Sequence, residues 1–302
     1  MDLNYFEAFL IQSDMLKKRV AATIIVKDGI VVQSINFSKY LPVGKPAIAI
    51  EFLNQWGIDE IILLDISTAR NNQDPDYLMI RKASEKCFVP LTVGGGVSNI
   101  EHIKQLMHCG ADKISLNHAA IYQPELITKA SHIFGDQCIV VSIDAIKTRE
   151  GYRVYDYLTK KALKIIPKDL AIKAVELGAG EILINSVDRD GTYIGYDLQL
   201  INSICELVSI PVICSGGAKN ANDFVDVFKN TNVSAASAAN FFHFTEHSVN
   251  TTKANISNHT LVRLETHASY RENHFDDTLR LIKKADEELE KLLYVRIEKE
   301  II

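Results

Sequence analysis

Strand-sized apolar runs recur along the chain, each followed by a stretch whose apolar residues keep helical spacing. The runs are Val20–Val26, Glu60–Leu64, Phe88–Val93, Lys113–Leu116, Cys138–Ile143, Glu181–Asn185, Ile210–Cys214 and Val233–Ala239. Between them lie the amphipathic segments Ala47–Trp56, Tyr77–Lys86, Asn99–Cys109, Pro124–Ile133, Lys168–Leu177, Leu198–Leu207 and Ala221–Lys229. Short β-branched runs that alternate with helical periodicity predict parallel strands joined by crossover helices. Eight such strands have the size and order of one (β/α)₈ TIM barrel. A doubly wound open sheet is the alternative, but no G-x-G-x-x-G follows the first strand.

An internal repeat sharpens this reading. Glu60-Ile61-Ile62-Leu63 returns as Glu181-Ile182-Leu183-Ile184, and Pro90 with Gly95-Gly96-Val97 returns as Pro211 with Gly216-Gly217-Ala218, both 121 residues later. A solenoid repeats at much shorter periods. An offset of half a barrel implies two four-strand halves related by a pseudo-twofold axis. The barrel is expected over residues 19–244, after a leader of residues 1–18 with no assigned role. The extension 245–302 reads as polar and irregular at first, then as a charged amphipathic helix from Asp276 to Glu300. Leu279, Ile282, Leu289 and Leu292 form its apolar stripe.

Composition mostly excludes. No apolar stretch reaches the roughly 18–20 residues of a membrane span, and Met1–Lys18 lacks the layout of a signal peptide. Five cysteines without a C-x-x-C pair read as reduced thiols, so a cytoplasmic location is expected. A net charge of −5 gives no electrostatic case for nucleic acid. No metal or cofactor is expected.

Barrel chemistry sits where strands end. Glycine-rich exits matter there because bare backbone N–H groups can approach a phosphate. Two exits occupy matching places, Gly94-Gly95-Gly96 after the third run and Ser215-Gly216-Gly217 after the seventh. The next run of each half ends in small polar residues, Asn117-His118-Ala119 and Ala239-Asn240. The pairing suggests a phosphorylated small-molecule ligand with a phosphate at each end.

The chain resembles the HisF family, cyclase subunits of imidazole glycerol phosphate synthase. The resemblance rests on Val26-Lys27-Asp28-Gly29, Leu64-Asp65-Ile66, Val93-Gly94-Gly95-Gly96, Gly110-Ala111-Asp112-Lys113, Ser142-Ile143-Asp144-Ala145, Asp188-Arg189-Asp190-Gly191-Thr192 and Ser215-Gly216-Gly217-Ala218, in that order. It implies that ammonia from a HisH-type glutaminase crosses the barrel and attacks a bis-phosphorylated ribulosyl nucleotide. Two aspartates at the mouth would do the acid–base work, and Gly95, Gly96, Asn117, Asp190, Gly191, Ser215, Gly216, Gly217 and Asn240 would hold substrate. One aspartate is kept as Asp144. Aligned on Lys27-Asp28-Gly29, the other position is Ile25, which cannot transfer a proton. A loop lysine of the family is Gln33 here, a threonine is His118, and a phosphate-site serine is Asn240.

The opposite face keeps its pattern. Arg19, Glu60, Lys113 and Glu181 match the family's ring of four charges, the ammonia gate, and Asp112 matches its partner-facing acid. A kept entry and an altered mouth resemble HisF-like paralogues of surface-polysaccharide clusters, which share Arg70-Asn71-Asn72-Gln73-Asp74-Pro75 and Asn185-Ser186-Val187-Asp188. That likeness implies delivery of ammonia to a separate N-acetyl sugar amidotransferase. A working cyclase using Asp144, and a phosphate-sugar binding barrel without ammonia traffic, are the other readings.

Overall fold

The computed structural model describes residues 16–71, 73–244 and 247–265, with Asp277, Ile282 and Ala285 beyond them. The chain opens with β1 (Arg19–Lys27), a hairpin of β2 (Ile30–Ile35) and β3 (Lys39–Gly44), and α1 (Pro46–Gln55). Next come β4 (Glu60–Asp65), α2 (Tyr77–Ser84), β5 (Leu91–Gly94), α3 (Ile100–His108), β6 (Lys113–Leu116), α4 (His118–Tyr122) and α5 (Glu125–Phe134). The second half runs β7 (Ile139–Thr148), a hairpin of β8 (Gly151–Asp156) and β9 (Lys161–Ala162), α6 (Pro167–Glu176), β10 (Glu181–Ser186) and α7 (Leu198–Cys205). It ends with β11 (Val212–Ser215), α8 (Ala221–Asn230), β12 (Ala235–Ala238), α9 (Asn240–Phe244) and α10 (Ser248–Ser257).

Strands β1, β4, β5, β6, β7, β10, β11 and β12 pair in parallel, and the β12–β1 and β7–β10 pairings close the ring. Closure leaves no unpaired edge among them. The fold is therefore the (β/α)₈ barrel that the alternating pattern predicts. Its strands are apolar on both faces because both are buried. Outward residues such as Val20, Ile24, Ile61, Val141 and Ile184 join the large cluster beneath the helices. Inward residues Ala21, Ile62, Val140, Leu183, Ile213 and Ala235 form a separate cluster within the ring.

Local chemistry fixes where the elements begin. Asp76, Asn99 and Asp197 cap α2, α3 and α7 by accepting backbone N–H groups, and Asn220 and Asp223 form a capping box on α8. Pro46 and Pro167 open α1 and α6, where no N–H is needed. The apolar runs overstate three strands. The eighth covers only Ala235–Ala238 of the run Val233–Ala239. The third strand starts at Leu91 rather than Phe88, whose ring is 82% exposed, and the seventh starts after Pro211.

The hairpins β2–β3 and β8–β9 have no counterpart in the sequence reading. They extend the first barrel strand of each half, pairing antiparallel with β1 and β7.

The segment read as irregular after residue 244 contains α10, packed on α8. Its polar residues mislead because they are buried with partners: Lys253 Nζ donates to Gly57 O and, at 2.6 Å, to Asp59 Oδ1. Arg263 reaches the same carboxylate at 2.8 Å, and Lys18 N donates to Leu261 O. The expected helix Asp276–Glu300 lies almost wholly outside the described residues. Within it Asp277 sits in a turn, and Ile282 and Ala285 are exposed and not helical. The leader is outside them up to residue 15.

Lys253 carries this closure, since both it and Asp59 are nearly inaccessible. Lys253→Met leaves a buried carboxylate short of one partner and is expected to cost about 2–4 kcal/mol. A urea midpoint equal to that of the unaltered chain would show the pair to be idle.

Candidate functional site

Side-chain alternation stacks the inward residues in layers from the strand starts to the strand ends. The first layer holds charge. Arg19 donates to Glu60 and to Glu181 through separate guanidinium nitrogens. Lys113 Nζ spans the same two carboxylates, 2.9 Å from Glu60 Oε1 and 2.7 Å from Glu181 Oε2. Thr92 Oγ1 adds a hydrogen bond to Glu60 at 3.2 Å. Glu60 and Glu181 are 0% and 3% exposed, so the ring is a closed, fully paired set. Burial alone would lower the pKa of Arg19 and Lys113, and the two carboxylates outweigh it and raise both. Asp112 lies exposed beside this face, its carboxylate accepting Leu91 N at 2.8 Å.

Above the ring comes the apolar layer, then a hydroxyl pair, Thr23 and Ser237, 2.7 Å apart. The mouth follows. A cavity of about 420 Å³ opens there, bounded by Ile25, Asp144, Asn117, Gly95, Gly96 and Tyr157 among others. Its roof comes from loops after three strands. Phe37 meets Tyr155 edge-on with centroids 6.2 Å apart, and Arg70 lies over the Tyr157 ring at 6.0 Å.

Strand register settles how the halves correspond at the mouth. Ile25 pairs with Leu64, and Asp144 pairs with Asn185. Leu64 and Asn185 stand 121 residues apart, at equal places in β4 and β10, so Ile25 holds in one half the position that Asp144 holds in the other. Asp144 is buried, with Asn117 Nδ2 3.1 Å from Oδ2 and Asn185 Nδ2 3.3 Å from Oδ1. Burial pushes its carboxyl up to about 7, against the pull of the two amides. Asn117 also donates to Ser142 O at 3.0 Å, which leaves its Oδ1 buried with no hydrogen-bond partner among the described residues.

The remaining expected ligand residues do not border this cavity. Asp190, Gly191 and Asn240 meet the β2 hairpin instead, whereas Ser215 pairs with Asn185 and Ser237, Gly216 lies against Ser186 and Gly217 against Gly195. Ser34 Oγ and Phe37 N donate to the Asp190 carboxylate at 2.6 and 3.2 Å, and Asn240 Nδ2 donates to Ser34 O at 2.7 Å. Burial raises the Asp190 pKa, opposed by those two donors. Gln33 Nε2 lies 3.3 Å from the Tyr193 hydroxyl, and His118 stacks on Tyr122 with centroids 4.4 Å apart. Sequence reasoning missed Asn185 as the second amide on Asp144. Its place one strand over from the acid was the available signal. It also missed Ser34 and the aromatic roof, which belong to hairpins without an apolar period.

Asp144 makes stability depend on pH with a definite sign. The folded chain keeps this proton up to about pH 7, whereas an unfolded aspartate releases it near about pH 4. Folding therefore loses stability as pH rises through that window, by on the order of 2–4 kcal/mol. Asp144→Asn removes the titration, so thermal melts should show the variant gaining on the unaltered chain between about pH 5 and about pH 8. A constant difference across that range would contradict the assignment.

The family model described as "Histidine biosynthesis protein" matches residues 19–248. A Vibrio vulnificus protein named putative imidazole glycerol phosphate synthase subunit hisF2 is 43% identical over 257 residues, covering 85% of this chain and 94% of the relative. HisF subunits of that synthase from Clostridium botulinum (strain Okra) and Streptococcus mutans are 43% and 39% identical, over 79% and 81% of this chain and 95% and 98% of their own lengths. With the family model spanning the whole barrel and relatives matched almost end to end, the chain belongs to the histidine biosynthesis protein family, as a HisF-type subunit.

Proposed function

We propose that this HisF-type barrel receives ammonia from a HisH-type glutaminase docked on the charged-ring face and conducts it toward the mouth. There it serves a separate N-acetyl sugar amidotransferase of surface-polysaccharide synthesis, in the cytoplasm, rather than consuming ammonia itself. The observation that carries this reading is the contrast between a fully paired ring and a mouth whose second acid position is Ile25. A closed set of two cations and two carboxylates favours a small neutral solute over an ion, and the apolar layer above it extends that preference. Loss of one of a pair of acid–base groups typically costs on the order of 10²–10⁴-fold in rate.

A second reading keeps the cyclase activity that the relatives' names state. It is favoured by Asp144, whose carboxyl, raised to about 7, is poised to exchange protons at neutral pH. In that case Asp144 would work without a second acid at the equivalent position, Ile25, and turnover would be slow.

Two measurements separate these. On the first reading, Ile25→Asp raises ammonia-dependent cyclisation of the ribulosyl nucleotide by about 10²-fold or more from a very low base. High activity in the unaltered chain would overturn it. Asp112→Lys should weaken the complex with the glutaminase by about tenfold, because it reverses an exposed charge beside the ring. Failure of the unaltered chain to bind any glutaminase of its own cell, in co-purification of the full complex, would sink ammonia conduction altogether.

A further inference from the structure

We propose that the ammonia acceptor docks on the rim of the mouth, with an acidic face seated against the free edge of strand β3. This rests on the ammonia-conducting reading and names the surface that such delivery needs. Ammonia released into open water takes up a proton and is lost as a nucleophile. Delivery therefore requires an acceptor that seals onto the rim and keeps water from the outlet.

The rim offers a surface of that kind. Among the described residues β3 pairs only with β2, which leaves its other edge unpaired. An unpaired edge is a ready template for another chain unless it is covered or blunted. The side chains here are not those of a solvated edge. Leu41 is 52% exposed, Val43 is exposed beside it, and Ile30 and Ile48 flank the hairpin, exposed as well.

The apolar strip crosses to the second half of the barrel. Leu41 pairs with Gln33, whose amide lies 3.3 Å from the Tyr193 hydroxyl. The next residue, Ile194, is 62% exposed. The hairpin is also fixed in place, because Ser34, Asn36 and Phe37 all bond to Asp190. Ser34, Phe37 and Tyr40 thus line the cavity while Leu41 and Val43 meet solvent. A surface ordered before binding loses less entropy on association.

Charge selects the partner. Between Gly29 and Ile50 the sequence has Lys39 and Lys45 and no acidic residue. Lys27 adds a cation against the hairpin, its Nζ 5.4 Å from the centre of the Tyr40 ring. At the far end of the strip Arg189 Nη1 donates to Ile194 O at 3.1 Å. Cations around an apolar strip suit an acidic surface and repel a second copy of the same face.

The test combines the full chain, its glutaminase and the N-acetyl sugar amidotransferase. It measures affinity between chain and amidotransferase, and amidine formation from glutamine and from added ammonium salt. Leu41→Asp should weaken that association by about tenfold or more and lower glutamine-dependent product to match. Product from ammonium salt and binding of the glutaminase should stay unchanged. Lys39→Glu with Lys45→Glu should act in the same way and flatten the salt dependence of binding. Ile172→Asp, on the outer wall at α6, should change none of these. Unchanged affinity in both hairpin variants, with glutamine nitrogen still reaching the amidotransferase, would overturn the docking surface and leave conduction standing. An equal loss in Ile172→Asp, or self-association of the unaltered chain that Leu41→Asp abolishes, would overturn it too. If no glutamine nitrogen reaches the amidotransferase from the unaltered complex, conduction to that enzyme falls, and the docking surface with it.

Discussion

Two carboxylates buried at the start of the barrel, Glu60 and Glu181, constrain most of what lies around them. An ionised carboxylate removed from water is costly unless it is paired and hydrogen-bonded. The barrel brings Arg19 and Lys113 to both of them at once, and four charges cancel in one plane. That arrangement requires β1, β4, β6 and β10 to share a single register, because a slip of one residue would turn a charged side chain outward into the apolar cluster. The ring therefore fixes the strand alignment from below. The same alignment then determines which residues meet at the mouth, three layers higher along β1.

Symmetry makes the differences between the halves informative. Backbone and caps repeat, yet Ile25 answers Asp144, Leu64 answers Asn185 and Asp223 answers His102. Each pair sits at one place in the repeat and differs in charge or hydrogen-bonding capacity. The acid and one of its amides, Asn185, belong to the second half, and the other amide, Asn117, belongs to the first. A ligand lying across the mouth would meet polar groups from both halves, with Asp65 on one side and Asp144 on the other. Covering the cavity with Phe37, Tyr155 and Tyr157 strengthens that polarity, since excluding water raises the energetic weight of every remaining charge.

The fold was legible in the sequence because barrel strands buried on both faces leave continuous apolar runs, and the 121-residue repeat implied two matching half-barrels. Charged-ring residues were legible through the family resemblance alone, which matched Arg19, Glu60, Lys113 and Glu181 to a ring of four charges. The hairpins were not legible. Residues 30–44 and 151–162 mix Ser, Lys, Gly and aromatic side chains with no period, because only scattered residues such as Val31 and Val154 reach the core. Helix α10 was missed for the opposite reason. Its Thr251, Thr252 and Lys253 are buried, and polarity in sequence is an unreliable sign of exposure where partners such as Asp59 wait.

The roles of the two mouths follow different physics. The ring's two cations and two carboxylates neutralise one another, a property of the set rather than of any one member. At the other end the Asp144 carboxyl, raised to about 7 by burial, is held between two amides that cannot themselves take a proton. With Ile25 opposite, a proton leaving Asp144 finds no second acid–base side chain at the equivalent position of the first half. Chemistry that needs simultaneous donation and removal of protons is therefore disfavoured here, whereas passage of an uncharged solute past Asp144 asks nothing of Ile25 except that it stay apolar.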